Sequence, residues 1–477
     1  MNTINALFHR FLFVGFLTCC FSLNSLDAQI LSPVGHWKGN LEVNGQSIPL
    51  VFHLEQEEQG DWKASFDSPN QMVYDMAFDV VQVQTPKIRL EIKAARVVYE
   101  GTLQEDGQTI KGNWMQGGAV LSLDLIFGVQ EVIERPQTPK APFSYDVETV
   151  EFNNKKAGLS LAGTLTLPAR KQNCPAVVLI SGSGPQDRNG MILKHQPFMV
   201  IADYLTRQGV VVLRVDDRGV GKSGGTFAGA TSADFATDVA AALTYLQKHP
   251  RVNANKVGLL GHSEGGLIAP MVASVRDDVA FLILLAGPGY PGYQTLKQQN
   301  HDMTLQETQD AGLAKRQAQV LEKIYAAVLA KENKEKSTSE MMARLEKDLK
   351  ELSAEDREKL GWTDVVIRSI VTQLRSPWMA YFLAANPEEY LQKVQCPVLA
   401  INGDKDLQVH VDNLKGIEEA LKKGKNKTYQ IQAFENLNHL LQTSETGAIE
   451  EYVKIEETIS PKVLIAIDKW LQEVAIY

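Results

Sequence analysis

A serine flanked by glycines in the middle of the chain is the first candidate for chemistry. The stretch KVGLLGHSEGG, which ends at Gly266, contains the pattern G-x-S-x-G around Ser263. This pattern sets a serine hydroxyl on a sharp turn between a buried strand and a helix, as a nucleophile requires. We therefore expect a strained backbone at Ser263, and glycine at 261 and 265 because side chains there would collide with the strand and the helix. A plain serine in a glycine-rich loop is the alternative.

A serine hydroxyl becomes a good nucleophile only when a base takes its proton and an acid orients that base. Of the nine histidines in the chain, three follow the serine, namely His301, His410 and His439. His301 precedes every strand that could carry the acid, and His410 lies within the turn that should hold the acid itself. Elimination favours His439, in ENLNHLLQ after the strand-like TYQIQAF. A capping or surface histidine in a polar loop is the alternative.

Two aspartates are candidates for the acid. They follow the apolar run VLAI in VLAINGDKDLQV, at positions 404 and 406. Carboxylates at the carboxyl end of a parallel strand face the edge of the sheet where active sites form. The spacing favours Asp406, with Asp404 as the alternative. Both aspartates could instead have only a structural role in the turn, because Asp is common after Gly at strand ends. The resulting order along the chain, Ser263, Asp406, His439, is that of α/β hydrolases.

Acyl transfer also requires hydrogen-bond donors aimed at the oxyanion that develops on the substrate, each worth about 2.7–4 kcal/mol. One donor should be the backbone amide of Glu264, the residue after the nucleophile. The other should come from SGSGPQDRNG, the loop after the apolar run AVVLI, with Ser183 as the donor. We expect Asp187 and Arg188 in this loop to pair and stiffen it. A simple glycine turn is the alternative.

The elements that must position these residues are indicated by a change in hydrophobic pattern near residue 147. Beyond it, continuous apolar runs alternate with helical stretches, as in parallel sheets covered on both faces. One helix is well marked, because Ser232 can cap the amphipathic segment ADFATDVAAALTYLQ. The runs are AVVLI at 176–180, VVVLRV at 210–215, VGLL at 257–260, FLILLA at 281–286 and VLAI at 398–401.

Patterning divides the chain into four parts after its N-terminus. Residues 29–130 alternate apolar and polar side chains, as in a β-sandwich or barrel. Prolines spaced three apart predict a semi-rigid linker over 131–146. A mostly parallel, doubly wound α/β domain is expected over 147–289 and 396–477. Helical patterns over 290–395 predict an inserted cap above the ligand crevice. Asn44-Gly45 and Asp106-Gly107 are hairpin signals in the β-domain.

The N-terminal 28 residues read as a signal peptide. An arginine precedes the uncharged apolar run FLFVGFLTCCFSL, which is too short to span a membrane, and cleavage after Ala28 fits the small-residue rule. The protein is therefore expected to be exported, to the periplasm or the medium. Anchoring as a lipoprotein through Cys19 or Cys20 is disfavoured by the residues before them. The remaining cysteines, Cys174 and Cys396, are expected to be free thiols rather than a disulfide.

Composition limits the kinds of partner. The formal net charge is −9 and the sequence pI is near 5.6, so nucleic acid and anionic membranes would be repelled. No segment beyond the signal peptide predicts a membrane span. The sequence GVGKSG resembles a phosphate-binding loop, but no helix starts where one would be needed. We expect no metal and no cofactor, and the sequence does not indicate the oligomeric state.

Six motifs in order, over residues 147–477, resemble the α/β-hydrolase superfamily, and specifically its bacterial carboxylesterases of the serine-aminopeptidase-like branch. The motifs are SGSGPQDRN, DDRGVGKS, GHSEGG, SPWMAYFLAANP, NGDKDLQV and LNHLLQ. The resemblance implies hydrolysis of short acyl esters, with the roles already given for Ser263, Asp406 and His439, and a cap before the strand that bears the aspartate. This chain has Ser181-Gly182 where the family often has His-Gly. The N-terminal β-domain also resembles the domains that precede such esterases, but this resemblance is weaker.

The sequence thus predicts an exported serine hydrolase that cleaves small-molecule carboxylic esters through an acyl-enzyme, with carbohydrate-linked acyl groups among the candidate substrates. Two alternatives stay open at this point. One is an aminopeptidase-like serine peptidase that uses the same triad and binds a free amino terminus in an anionic pocket. The other is a non-catalytic protein whose β-domain binds a ligand.

Overall fold

A computed structural model describes residues 32–43, 46–58, 60–68, 73–128, 135–333, 336–474 and 476–477. The chain forms two compact units that divide between residues 131 and 132. The expected signal peptide (residues 1–28), Cys19, Cys20 and the Asn44-Gly45 turn lie outside the described residues.

The N-terminal unit is a ten-stranded antiparallel sheet around an aromatic core. Its strand order is β4-β3-β2-β1-β10-β8-β7-β6-β5, and β9 pairs with β8. Trp37, Phe52 and Tyr99 are completely buried inside it. The predicted hairpin at Asp106-Gly107 is confirmed, joining the seventh and eighth strands. The strands are β1 (Gly35–Val43), β2 (Gln46–Gln56), β3 (Trp62–Ser68), β4 (Val73–Ala77), β5 (Val80–Gln84), β6 (Lys87–Ile92), β7 (Val97–Leu103), β8 (Thr109–Gln116), β9 (Ala119–Ser122) and β10 (Leu125–Phe127).

The second unit contains an eight-stranded, mostly parallel sheet in the order β11-β12-β14-β13-β15-β16-β17-β18. The first two strands of this order run antiparallel to their neighbours, and all later pairs are parallel. The predicted α/β-hydrolase fold with a separate all-β domain is confirmed. The strands are β11 (Asp146–Asn154), β12 (Leu159–Leu167), β13 (Cys174–Ile180), β14 (Val211–Val215), β15 (Val252–His262), β16 (Leu282–Leu285), β17 (Val398–Gly403) and β18 (Tyr429–Phe434).

Helices cover both faces of this sheet. Alternate residues of β13 enter different cores, so that Val178 packs on one face and Val177 on the other. This explains the unbroken apolar runs, because no face of these strands meets water. The helices are α1 (Pro197–Gln208), α2 (Ser232–Gln247), α3 (Gly265–Ala273), α11 (Asn413–Lys423), α12 (Ile449–Tyr452) and α13 (Pro461–Glu473).

The start of α2 differs from its prediction. Thr231, not Ser232, is the capping residue, and its backbone N–H and hydroxyl both donate to the Asp234 carboxylate at 2.9 and 2.8 Å. Threonine and aspartate three residues apart form a capping box, which the sequence TSAD contains. Ser232 is therefore free to use its hydroxyl elsewhere.

Between β16 and β17 the chain forms a helical region with its own core, which includes Ile324, Met341 and Ile367. A smaller cluster joins this region to the sheet domain, where Phe382 and Ala385 pack against Leu267 of α3. The helices are α4 (Gly292–Thr308), α5 (Ala311–Leu329), α6 (Thr338–Leu349), α7 (Ala354–Lys359), α8 (Asp364–Leu374), α9 (Pro377–Ala384) and α10 (Glu388–Leu391), with a 3₁₀ turn at Lys331–Asn333.

The segment before β11 is bonded to the C-terminal part of the sheet domain. The Arg135 guanidinium donates to the carbonyl oxygens of Ile455, Val453 and Leu193 at 2.7, 2.8 and 3.2 Å. Gln137 bonds the backbone of Ile459 in the same region. These contacts fix residues 135–137 against the segment that follows α12.

Cys174 and Cys396 are both free thiols, as expected. In the described ranges, none of the helices combines the length and the apolar character that crossing a bilayer needs.

Candidate active site

Ser263 lies on a strained turn between β15 and α3. Its φ is +54°, a left-handed conformation that non-glycine residues rarely adopt, and its N–H donates to the Leu285 carbonyl at 2.9 Å. A Cβ at Gly261 would lie 2.0 Å from the carbonyl oxygen of Gly265, and a Cβ at Gly265 would lie 2.4 Å from that of Ile180. The strain and the two collisions expected from the sequence are confirmed.

His439 and Asp406 meet at the carboxyl end of the sheet. The His439 Nδ1 atom lies 2.8 Å from Asp406 Oδ2, and the side chains are only 5% and 0% exposed. The other carboxylate oxygen accepts the backbone N–H groups of Gln408 and Val409 at 2.8 and 2.9 Å. The alternative acid, Asp404, is exposed and accepts a backbone N–H from residue 436. Of the two aspartates, the structure pairs Asp406 with the imidazole.

The His439 ring packs against the residue that precedes Ser263. The ring centroids of His262 and His439 are 4.9 Å apart, and His262 Nε2 lies 2.9 Å from the His439 carbonyl oxygen. Burial lowers the pKa of His262 to about 4, with a smaller contribution from the neighbouring His439. The His262 ring is therefore neutral at physiological pH, with Nε2–H as the donor, because a carbonyl oxygen only accepts.

The structure joins the His439 ring to the turn of Ser263 through the preceding residue, His262, and not through a direct hydrogen bond to the serine. Of the hydrogen bonds made by the described residues, none joins these two side chains. Catalytic hydrogen bonds are often long without substrate and tighten when the reacting complex forms.

Two backbone amides flank the Ser263 side chain. A Cβ at Gly182 would lie 3.1 Å from the Ser263 Cβ, which puts the loop after β13 directly against the serine. Glu264 directly precedes the first residue of α3, where free amides and the helix dipole favour negative charge. Within the part of the chain that the structure describes, the amides of Ser183 and Glu264 donate no hydrogen bond to protein. Both are free for a ligand.

Residues 181–186, here called the glycine turn, are braced by Asp217 at the end of β14. The Ser181 hydroxyl donates to Asp217 Oδ1 at 2.6 Å, and the Gln186 N–H donates to Oδ2 at 2.9 Å. Burial raises the pKa of Asp217 to about 7 against the opposing hydrogen bonds from Ser181 and Gln186, and the charges of Glu264 and Asp238 contribute to this rise.

The predicted pairing of Asp187 with Arg188 is wrong. Arg188 forms a two-bond ion pair with Asp216 instead, at 2.9 and 2.5 Å. Asp187 accepts the N–H groups of Asn189 and Met191. A carboxylate one residue from a guanidinium in a loop is poorly placed for a bidentate bond, whereas Asp216 at a strand end faces it directly.

The Glu264 side chain is buried among hydrogen-bond donors. It is 2% exposed and accepts the Ser232 hydroxyl at 2.6 Å and the Trp378 indole N–H at 2.9 and 3.1 Å. Burial raises the pKa of Glu264, and the hydrogen bonds from Ser232, Trp378 and Ser183 oppose that rise. One carboxylate therefore links the nucleophile turn, α2, α9 and the glycine turn.

Three contributors to this site, Asp217, His262 and Trp378, were not assigned a role from the sequence, and a fourth, Ser232, was expected only to cap α2. Each lies in or beside a motif already recognised, such as Trp378 in SPWMAYFLAANP and Asp217 in DDRGVGKS. Their roles depend on side-chain direction across separate elements, which spacing does not give. In the described parts of the chain, no three His, Cys, Asp or Glu side chains are grouped to hold a metal ion.

The family described as Serine aminopeptidase, S33, matches residues 189–446, more than half of the chain. The match includes Ser263, Asp406 and His439, and begins after the glycine turn.

The chain is also similar to individual proteins. It is 25% identical over 332 residues to Esterase EstD of Thermotoga maritima, covering 69% of this chain and 68% of that protein. The solved structure of the Pyrococcus furiosus esterase Pf2001 matches 69% of this chain and 92% of its own, at 17% identity and a TM-score of 0.41. Est1E of Butyrivibrio proteoclasticus, solved with ferulic acid bound, matches 69% of this chain and all of its own, at 17% identity and a TM-score of 0.41.

Proposed function

The chain belongs to the serine aminopeptidase S33 family of hydrolases, and from that premise we propose that it is a carboxylesterase-type enzyme with Ser263 as its nucleophile. The observation that carries the proposal is the buried His439–Asp406 pair, joined by a 2.8 Å bond and packed against the residue before Ser263. A carboxylate so placed orients an imidazole and stabilises its protonated form. The similarity to EstD, an esterase, supports an ester as the substrate.

The proposed reaction has two halves, acylation of Ser263 and hydrolysis of the acyl-enzyme, and His439 and Asp406 act in both. The Ser263 Oγ bonds to the ester carbonyl carbon while its proton passes to His439 Nε2, and Asp406 stabilises the imidazolium. The C–O bond to the alcohol then breaks, and the imidazolium gives the alcohol oxygen its proton. Water, deprotonated by His439, attacks the acyl-enzyme in the same way and releases the carboxylic acid and the serine.

The amides of Ser183 and Glu264 serve as the oxyanion hole in this proposal. Neither donates to an acceptor among the described residues, and one lies on the glycine turn and the other at the start of α3. Donors fixed in advance stabilise the charge that develops on the carbonyl oxygen without a reorganisation cost.

The state of Glu264 supports esters over peptides with a free amino terminus. A peptidase of that kind needs an anionic group to bind the substrate ammonium. Glu264 is the acidic residue next to the nucleophile, but its oxygens already accept bonds from Ser232 and Trp378, and it is 2% exposed. A carboxylate held in this way has little capacity for a further cation.

Two further parts of the proposal concern substrate and location. The resemblance of the six sequence motifs to those of bacterial carboxylesterases supports a short acyl group such as acetyl, on a simple alcohol or a sugar. The N-terminal sequence supports export to the periplasm or the medium.

Activity-based labelling tests the proposal directly. The wild-type protein should react with a fluorophosphonate probe and hydrolyse p-nitrophenyl acetate, whereas S263A should do neither and lose on the order of 10⁶ in kcat. S274A, at the other end of α3, is the matched control. Within the acid pair, D406N should lose most activity and D404N very little. A folded S263A variant with full activity, or a wild-type protein that the probe does not label, would exclude the serine mechanism.

A further inference from the structure

We propose that Asp217 is a positioning residue for the oxyanion hole, because its carboxylate closes the glycine turn that carries the Ser183 amide. The inference rests on the proposed function and adds a residue that acts through the turn without touching the substrate.

The bonds of Asp217 enclose the amide in question. Its two oxygens accept one donor from each end of the turn, the Ser181 hydroxyl at 2.6 Å and the Gln186 N–H at 2.9 Å. Its own N–H donates to the Gln186 carbonyl at 3.1 Å. Ser183 lies between the two braced positions, and its carbonyl accepts the Gln186 side-chain amide at 3.2 Å.

The turn needs such a brace because its own sequence is permissive. Gly182 and Gly184 flank Ser183, and Gly184 has a φ of +88°, so the local backbone has few steric limits. The amide of Ser183 makes no protein hydrogen bond among those of the described residues. Its direction therefore depends on the bonds at positions 181 and 186, together with the bond of the Ser183 side chain to Glu264.

Asp217 is used by the turn alone. Its neighbours Asp216 and Asp238 are ion-paired with Arg188 and Arg218 at 2.5 and 2.7 Å. Asp217 takes part in no ion pair with any described residue. Both of its oxygens are committed to the glycine turn, as expected of a side chain whose function is to hold that backbone.

The charges around Asp217 predict how the brace responds to pH. Glu264 approaches it from the nucleophile turn and Asp238 from α2, while Arg218 and Arg188 are occupied by their own partners. Burial and the two acids raise the pKa of Asp217 to about 7. Above this value both oxygens accept. Below it one oxygen carries a proton and becomes a poorer acceptor, so the turn loosens.

A loosened turn should affect the transition state more than the bound substrate. Loss of one oxyanion donor costs about 10²–10³ in kcat, and a displaced donor should cost less. We expect D217N to lower kcat roughly 10- to 100-fold with KM changed less than about twofold, since the interaction forms only in the transition state. The affinity for a trifluoromethyl ketone, which forms a tetrahedral oxyanion with the serine, should fall by a similar factor.

The experiment compares D217N with D187N in the full-length protein. Asp187 lies in the same loop but bonds Asn189 and Met191, beyond the glycine turn. D187N should keep wild-type kcat and inhibitor affinity. The decrease of kcat on acidification through pH 7 should be smaller in D217N than in the wild type and in D187N, because only these two can lose the brace when Asp217 is protonated. S181A, which removes one of the two braces, should give a smaller loss of kcat and serves if D217N does not fold.

The outcomes separate this inference from the proposed function. If the fluorophosphonate probe labels the wild type but D217N retains wild-type kcat and inhibitor affinity, the positioning role is wrong while the serine mechanism stands. A loss confined to KM, or one matched by D187N, overturns it equally. If the probe does not label the wild type, the proposed function fails first.

Discussion

The Nε2–H of His262 donates to the backbone carbonyl of His439 across 2.9 Å, so the residue before the proposed nucleophile holds the loop that carries the proposed base. The two rings also pack at 4.9 Å between centroids. Because the pKa of His262 is lowered to about 4, this bond persists unchanged over the pH range in which an imidazole base works. His262, the first of the two variable residues in the G-x-S-x-G pattern, therefore helps to position the proposed base.

Replacing His262 should reduce catalysis without removing a catalytic group. H262F keeps an aromatic ring against His439 but loses the bond, and we expect kcat to fall roughly 10- to 100-fold, since small misplacements of catalytic groups have effects of this size. H262Q retains an N–H donor and should recover part of the loss. Steady-state kinetics on p-nitrophenyl acetate measures both. Equal kcat in wild type and H262F would contradict the role.

The sequence alone predicted those features that follow from a local sequence pattern. Glycine at 261 and 265 predicted the turn at Ser263, and the five apolar runs predicted parallel strands, since both follow from local sterics and from burial on two faces. The choice between Asp404 and Asp406 rested on spacing, and the two differ in the structure in burial and in partner.

Contacts between side chains of distant elements could not be predicted in this way. Arg188 faces Asp216 and not Asp187, because the loop after β13 runs beside the end of β14. Ser232 bonds Glu264 because Thr231 takes the capping role. The first error came from assigning a partner that is close in sequence, where the sheet order brings another partner closer in space, and the second came from choosing the wrong one of two adjacent capping residues.

The Trp378–Glu264 bond should stabilise the helical region on the sheet domain. W378F removes the indole N–H but keeps a ring to stack on Phe382, 6.0 Å away. A hydrogen bond to a charged acceptor contributes about 1.5–3 kcal/mol, so the free energy of unfolding in urea should fall by about that amount.

A double-mutant cycle with E264Q tests whether the loss comes from this pair. The two substitutions should be non-additive, because W378F removes the donor of this bond and E264Q leaves only the neutral amide oxygen of glutamine as its acceptor. Additive losses of stability would show that Trp378 contributes through packing alone.

Two glycines beside the serine should differ sharply in their tolerance of alanine. At Gly261 a Cβ would lie 2.0 Å from a backbone oxygen, which no rotamer change can relieve, so G261A should be unfolded or destabilised by several kcal/mol. At Gly182 the nearest atom is the Ser263 Cβ at 3.1 Å, a contact that small shifts relieve. G182A should therefore fold and lose kcat through a displaced serine or glycine turn. Circular dichroism and thermal melting distinguish the two variants, and a stable G261A would contradict the steric account.

Because His195 is buried as a neutral ring, the free energy of unfolding should decrease in mild acid. It is 0% exposed, its Nε2 lies 2.9 Å from the Tyr452 carbonyl and its Nδ1 lies 3.1 Å from the Thr458 hydroxyl. Burial lowers the pKa of His195 to about 4, with a contribution from the nearby Arg135. In the unfolded chain a histidine has a pKa of about 6.5.

The sign of the pH effect follows from proton uptake. Below about pH 6.5 the unfolded chain binds a proton at His195 that the folded protein does not bind until about pH 4, so the free energy of unfolding decreases as the pH falls through this window. Between pH 7 and pH 5 the decrease from this residue should be about 2 kcal/mol. Urea unfolding at both pH values measures it, and H195Q should show a shallower dependence, with the remainder due in part to His262. If H195Q kept the full wild-type pH dependence of the free energy of unfolding, His195 would not be the source of that dependence. The lowered pKa of its buried ring would then be wrong.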